Sequence, residues 1–119
     1  MRGLCLHFRH APRKFRDGRC ALQRGRLPNT LHVCVPGVSG REVLARAPDV
    51  AASTGSACHA GSDEASAVLV AMGVPRADAR GALRLSLGFG ATRDEIERAA
   101  GSVIRAIGSG RAWVAFHTP

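Results

Sequence analysis

The chain has 119 residues, four cysteines and a formal charge of +8, with 45% apolar and 4% aromatic residues. That length holds one domain, which buries only about two-thirds of its unfolded surface, and it excludes a second catalytic domain. No apolar run approaches the ~18 residues of a membrane span, and with so few rings the core has to come from Ala, Val, Leu and Ile.

The charge is concentrated at one end. Residues 1–28 carry eight basic groups against Asp17 alone, a net of +7, whereas the other 91 residues carry nine basic and eight acidic groups, a net of +1. The cysteines, at 5, 20, 34 and 58, form no CxxC pair, and MRGLCLHFRH turns basic too soon for a secretory leader. A cytoplasmic chain with reduced thiols is the expectation.

In chain order, residues 1–25 form a basic head with neither a 3.6- nor a 2-residue period, interrupted at Ala11–Pro12, and read as irregular. A solvated tail, a nucleic-acid or acidic-partner contact, and a replacement for a larger domain are the alternatives for it. Residues 26–107 make up the folded domain and 108–119 a tail.

LHVCVP at 31–36 is a β-rich run stopped by proline, hence a strand. Ser39 with Glu42 three residues later is a capping-box pattern that starts a short helix running to about Arg46. DVAAS at 49–53 reads as a second strand leading into STGSACHAG at 53–61. Ser62, Asp63 and Glu64 then open a helix through DEASAVLVAMG, with Val68, Leu69 and Met72 as its apolar face and Gly73 as its stop. GALRLSLG alternates Leu83, Leu85 and Leu87 against Ala82, Arg84 and Ser86, the clearest strand in the chain. Thr92 and Glu95 repeat the capping box, and Ile96, Ala99, Val103 and Ile107 form the stripe of a helix that Gly108 and Gly110 end. In the tail, Trp113 and Phe116 are candidates to cover an apolar edge. The sum is an α+β unit, a small mixed sheet with helices mainly on one face.

Several residues are candidates for chemistry. Cys58 sits in a stretch too rich in small residues to bury it, ahead of a helix N-terminus, where a thiol gains thiolate character. An ordinary loop cysteine is the other reading. His59 either shuttles a proton for it or is an exposed bystander. Arg84, on the polar side of its strand, either faces solvent or offers a planar fork to a carboxylate. Cys5, His7, His10 and Cys20 are possible zinc ligands, but their spacing is not that of a regular structural site. His32 and Cys34 share a strand face that packing explains without a metal. The sequence holds no GxGxxG, Walker lysine loop or HExxH motif, and Lys14 is its only lysine.

RLPNTLHVCVPGVSG at 26–40, STGSACHAG at 53–61, VLVAMGV at 68–74 and ALRLSLGFGATRDEIERAAGSV at 82–103 together resemble the C-terminal part of cysteine desulfurases. These are fold-type I pyridoxal-phosphate enzymes of the class V aminotransferase group, transferases that supply sulfur for processes such as iron–sulfur cluster assembly. The resemblance implies the fold of their C-terminal small domain. It also implies that Cys58 attacks the sulfur of cysteine held on the cofactor, leaving alanine and a persulfide. Arg84 then binds the substrate carboxylate, Asn29 of LPNT approaches substrate and cofactor, and Ser56 and Ala57 serve as loop scaffold. Where the family commonly has SLGR, this chain reads Ser86, Leu87, Gly88 and Phe89.

No cofactor-binding residue is identifiable, since nothing before Leu27 matches the family's cofactor lysine or its other cofactor-holding groups. Pyridoxal phosphate is therefore expected in the complete family enzyme and not on this chain alone. The expected partners are a cofactor-bearing chain and a sulfur-acceptor protein, with self-association through the uncovered face and no metal. The competing reading is a small non-enzymatic basic protein that binds nucleic acid or an acidic partner through residues 1–26.

Overall fold

The computed structural model of the chain describes residues 29–55 and 64–117, with side chains through residue 109. The basic head, Cys58, His59, and the set Cys5, His7, His10 and Cys20 lie outside the described residues.

In order, the elements are β1 (Thr30–Cys34), α1 (Gly40–Ala45), α2 (Ala67–Ala71), α3 (Arg76–Ala79), β2 (Ala82–Ser86) and α4 (Arg93–His117). β1 and β2 pair antiparallel, with Thr30 opposite Ser86, His32 opposite Arg84 and Cys34 opposite Ala82. Backbone bonds extend the pairing at both ends, from the Val35 amide to the Gly81 carbonyl at 2.9 Å and from the Leu87 amide to the Asn29 carbonyl at 2.8 Å. Among the described residues the sheet is therefore antiparallel, not mixed. The expected strand at 49–53 contributes only Ser53, whose amide and carbonyl both bond the backbone of Arg84, at 3.2 and 2.6 Å. Arg84 thus uses both its backbone groups on Ser53 and faces His32 of β1 in the register.

The two-residue alternation of both strands sorts the molecule into two layers. Leu31, Val33, Leu83 and Leu85 point into the main core, where they meet Val43 and Ala47 from the α1 region and Ala100, Val103, Ala106 and Ile107 from α4. Leu83, Val35, Val43 and Val103 are its largest fully buried side chains, and each contributes about 1.5–3 kcal/mol of apolar burial. On the opposite face Cys34 and Ala82 pack with Leu69 of α2 and Ala79 of α3. The helices therefore lie on both faces, α1 and α4 on one and the short α2 and α3 at one end of the other. Among the described residues, that division leaves His32, Arg84, Thr30 and Ser86 without a helix packed over them.

Both expected caps form. Ser39 accepts from the Glu42 amide at 3.4 Å, although the Glu42 carboxylate meets Arg46 and not the cap. At α4 the box is complete: the Thr92 amide donates to Glu95 Oε2 at 2.8 Å, and Thr92 Oγ1 accepts from the Glu95 amide at 3.3 Å. The bonds from Thr92 hold the Glu95 carboxyl below its usual range.

Three helix expectations change. α2 starts only at Ala67, so Glu64 precedes it, and Leu69 alone of the expected apolar face is buried, with Val68 69% and Met72 45% exposed. α3, a single turn after Pro75, has no counterpart in the sequence reading. α4 does not stop at Gly108 and Gly110 but runs on to His117, and its deepest residues are Ala100, Val103, Ala106 and Ile107. Ser102 of α4 donates to Asp49 Oδ1 at 2.6 Å, tying the helix to the segment after α1 and holding that carboxyl below its usual range. No described helix is long and apolar enough to cross a membrane.

Candidate substrate-carboxylate site

The face of the sheet opposite the main core carries a row of polar side chains. Along β1 these are Thr30 and His32, and along β2 their cross-strand partners Ser86 and Arg84. At the open end Thr30 Oγ1 and Ser86 Oγ lie 3.3 Å apart. Asn29 sits just beyond, its Nδ2 donating to the Leu87 carbonyl at 3.4 Å. Of the two expected site residues described, Arg84 lies on this face at mid-strand, whereas Asn29, opposite Leu87, lies just past the end of β1 in step with the core-facing Leu31.

Arg84 is exposed, yet both its backbone groups are bonded, the amide and the carbonyl each to Ser53. No carboxylate pairs with it among the described residues. A guanidinium presented from a pinned backbone keeps its fork geometry without first breaking an ion pair, which suits it to a planar anion.

His32 is the residue that sequence reasoning passed over as strand packing. Its Nε2 is buried and has no hydrogen-bond partner among the described residues. Burial first, and the Arg84 charge second, hold the imidazole below its ordinary range, so it is neutral near pH 7. Gly55 presses on the ring: a Cβ there would lie 3.1 Å from His32 Cε1, and the glycine's φ of +83° is one that side chains rarely adopt. The signal in the sequence was the spacing, since His32 and Arg84 both fall on the polar side of alternating strands.

Cys34 shares that face, as its period requires, but is 2% exposed and lies among Leu69, Ala79 and Ala82. No group of three or more His, Cys, Asp or Glu suited to a metal ion occurs among the described residues. The described residues do not fit pyridoxal phosphate either. They contain no lysine, the chain's single one being Lys14, so they hold no amine to bond the cofactor's aldehyde.

The chain is 51% identical over 84 residues to a cysteine desulfurase of Frankia sp. (strain EuIK1), a match covering 71% of this chain and 20% of that protein. It is 45% identical over 75 residues to the selenocysteine lyase of Bos taurus, covering 60% of this chain and 17% of that one. In three dimensions it aligns with a NifS-like protein from Rickettsia africae ESF-5, with a TM-score of 0.52 and 26% identity over 73% of this chain and 21% of that one. This is a cysteine-desulfurase-like segment. No family model matches it. The cysteine-desulfurase-like chain spans about a fifth of the length of the curated relatives it matches. The likeness to the NifS-like structure agrees with an α+β fold built on the antiparallel pair.

Proposed function

We propose that this chain supplies the carboxylate-binding and sulfur-accepting part of a cysteine desulfurase. Arg84 grips the carboxylate of L-cysteine, Asn29 lies just past the end of β1, and Cys58 takes the sulfur, with His59 as an accessory proton carrier. The observation that carries the reading is Arg84 itself, an exposed cation with no described ion-pair partner, pinned on a polar sheet face next to Gly55. Cys58 follows Gly55 by three residues of sequence, a tether of at most about 11 Å.

In the proposed reaction the Cys58 thiolate attacks the sulfur of the substrate. The S–S bond forms, the C–S bond breaks with its electron pair left on the substrate carbon, and that carbon takes up a proton to become alanine. The electron pair needs a sink, which pyridoxal phosphate supplies in enzymes of this kind. With no fitting amine among the described residues, a cofactor-bearing chain is the proposed partner, and a sulfur-acceptor protein relieves Cys58 of its persulfide.

The test is to mix the full chain with L-cysteine, pyridoxal phosphate and a desulfurase that lacks its own copy of this segment, and to assay alanine. Alanine is expected only with both proteins present, and not when Cys58→Ala replaces the wild type. Alanine from the chain alone, or an undiminished yield with Cys58→Ala, contradicts the reading.

A further inference from the structure

We propose that His32 is a positioning residue of the carboxylate site, so that binding of a carboxylate at Arg84 and of a proton at His32 strengthen each other. The inference rests on the reading of Arg84 as the carboxylate anchor and adds a residue that the resemblance did not assign.

Three observations converge on His32. It stands directly opposite Arg84 in the antiparallel register, and the Cβ atoms of such pairs lie about 4.5–5.5 Å apart on one face. Its Nε2 is buried without a partner among the described residues, a costly state that in folded proteins calls for an explanation such as a ligand or an ordered water. The ring is also confined, because the place of a Gly55 Cβ lies 3.1 Å from Cε1 and 3.2 Å from Nε2.

Among the described residues the charged surroundings are simple. β2 contributes Arg84, the segment at Ser53 and Gly55 contributes no titratable group, and on β1 the neighbouring face positions are Thr30 and the buried thiol of Cys34. With the site empty, a proton on His32 would sit beside the guanidinium, and burial and that charge together keep the ring neutral. A carboxylate on Arg84 cancels that repulsion and so favours the proton on His32. Linkage then requires the reverse effect: whatever the anion adds to the proton affinity of His32, the proton adds to the affinity for the anion.

The sign follows. The His32 pKa in the empty site lies below about 6.5, and in the occupied site it is higher. Affinity for a carboxylate is constant at high pH, rises as pH falls between those two values, and levels off below them. Each pKa unit of coupling corresponds to about tenfold in affinity.

The probe is N-acetyl-L-alanine, a carboxylate with no amine to titrate, added to the full chain while the histidine Cε1–H resonances are followed by NMR from pH about 5 to 8. The His32 resonance is identified by its loss in His32→Asn. Its titration is expected to move to higher pH with the probe present, and the wild type to bind about three- to tenfold tighter at pH about 5.5 than at 7.5. His32→Asn, checked for folding by circular dichroism, is expected to show no such dependence. The His32 titration is read in the wild type, so it holds whether or not the variant folds. Binding that needs Arg84 but leaves the His32 titration unmoved overturns the inference and spares the reading of Arg84. No binding at any pH, or binding unchanged by Arg84→Gln, overturns both.

Discussion

Arg84 and His32 occupy equivalent places in opposite strands and end in different states. Arg84 reaches solvent, while His32 is wedged against Gly55 and its pKa is held below the ordinary value. Replacing Arg84 by Gln removes the charge-assisted pair of bonds, and we expect N-acetyl-L-alanine to bind at least about tenfold more weakly. Arg84→Lys should recover only part of that loss, because an ammonium cannot bond both oxygens in one plane. Calorimetric or NMR titration distinguishes the three proteins.

His32 also makes the stability of the chain depend on pH. A histidine whose pKa is lowered by folding binds more protons when unfolded, so its contribution is complete above the unfolded pKa of about 6.5 and is lost as pH falls through the folded value. The difference in urea midpoint between wild type and His32→Asn should therefore shift against the wild type on going from pH about 7.5 to 5.5. A constant difference would mean that burial does not hold the ring neutral.

At the scale of elements, the strands and both caps were legible because each is a local signal. The alternation in GALRLSLG needs only that one side be buried, and Thr92 and Glu95 are close enough in sequence to bond each other. What could not be read depends on distant partners. DVAAS has the composition of a strand, yet only Ser53 meets the free edge of β2. α3 is one turn with no period of its own. The glycines at 108 and 110 looked like a stop, but one glycine costs a helix only about 1 kcal/mol relative to alanine, and Ser109 between them bonds back to the Arg105 carbonyl at 2.7 Å. The site shows the same split: Arg84 was visible as a polar residue on an apolar strand, whereas the role of His32 required the register.

Three substitutions check the packing and the cap by urea denaturation. Val103→Ala, at a position with no exposure, should cost about 2 kcal/mol through lost burial and a cavity. Val68→Ala, 69% exposed although the sequence placed it on the apolar face, should change stability by no more than about 0.5 kcal/mol. Loss of the α4 cap in Thr92→Ala should cost about 1 kcal/mol.

At the scale of the whole molecule, the division of labour between the sheet faces is the main result. One face carries the core against α1 and α4, and among the described residues the other is covered by helix only at its Cys34 and Ala82 end. Phe89, in the β2–α4 turn where the family commonly has arginine, is fully exposed. The account therefore predicts a molecule that binds a carboxylate by itself and turns over cysteine only with a cofactor-bearing partner.

The most direct measurement is mass spectrometry of the full chain after incubation with L-cysteine, pyridoxal phosphate and that partner. One added sulfur atom on the peptide containing Cys58, absent in Cys58→Ala and reduced in Arg84→Gln at limiting L-cysteine, is the result the account predicts. Sulfur carried equally by Cys34 or the head cysteines, or a Cys58 persulfide indifferent to Arg84, would contradict it.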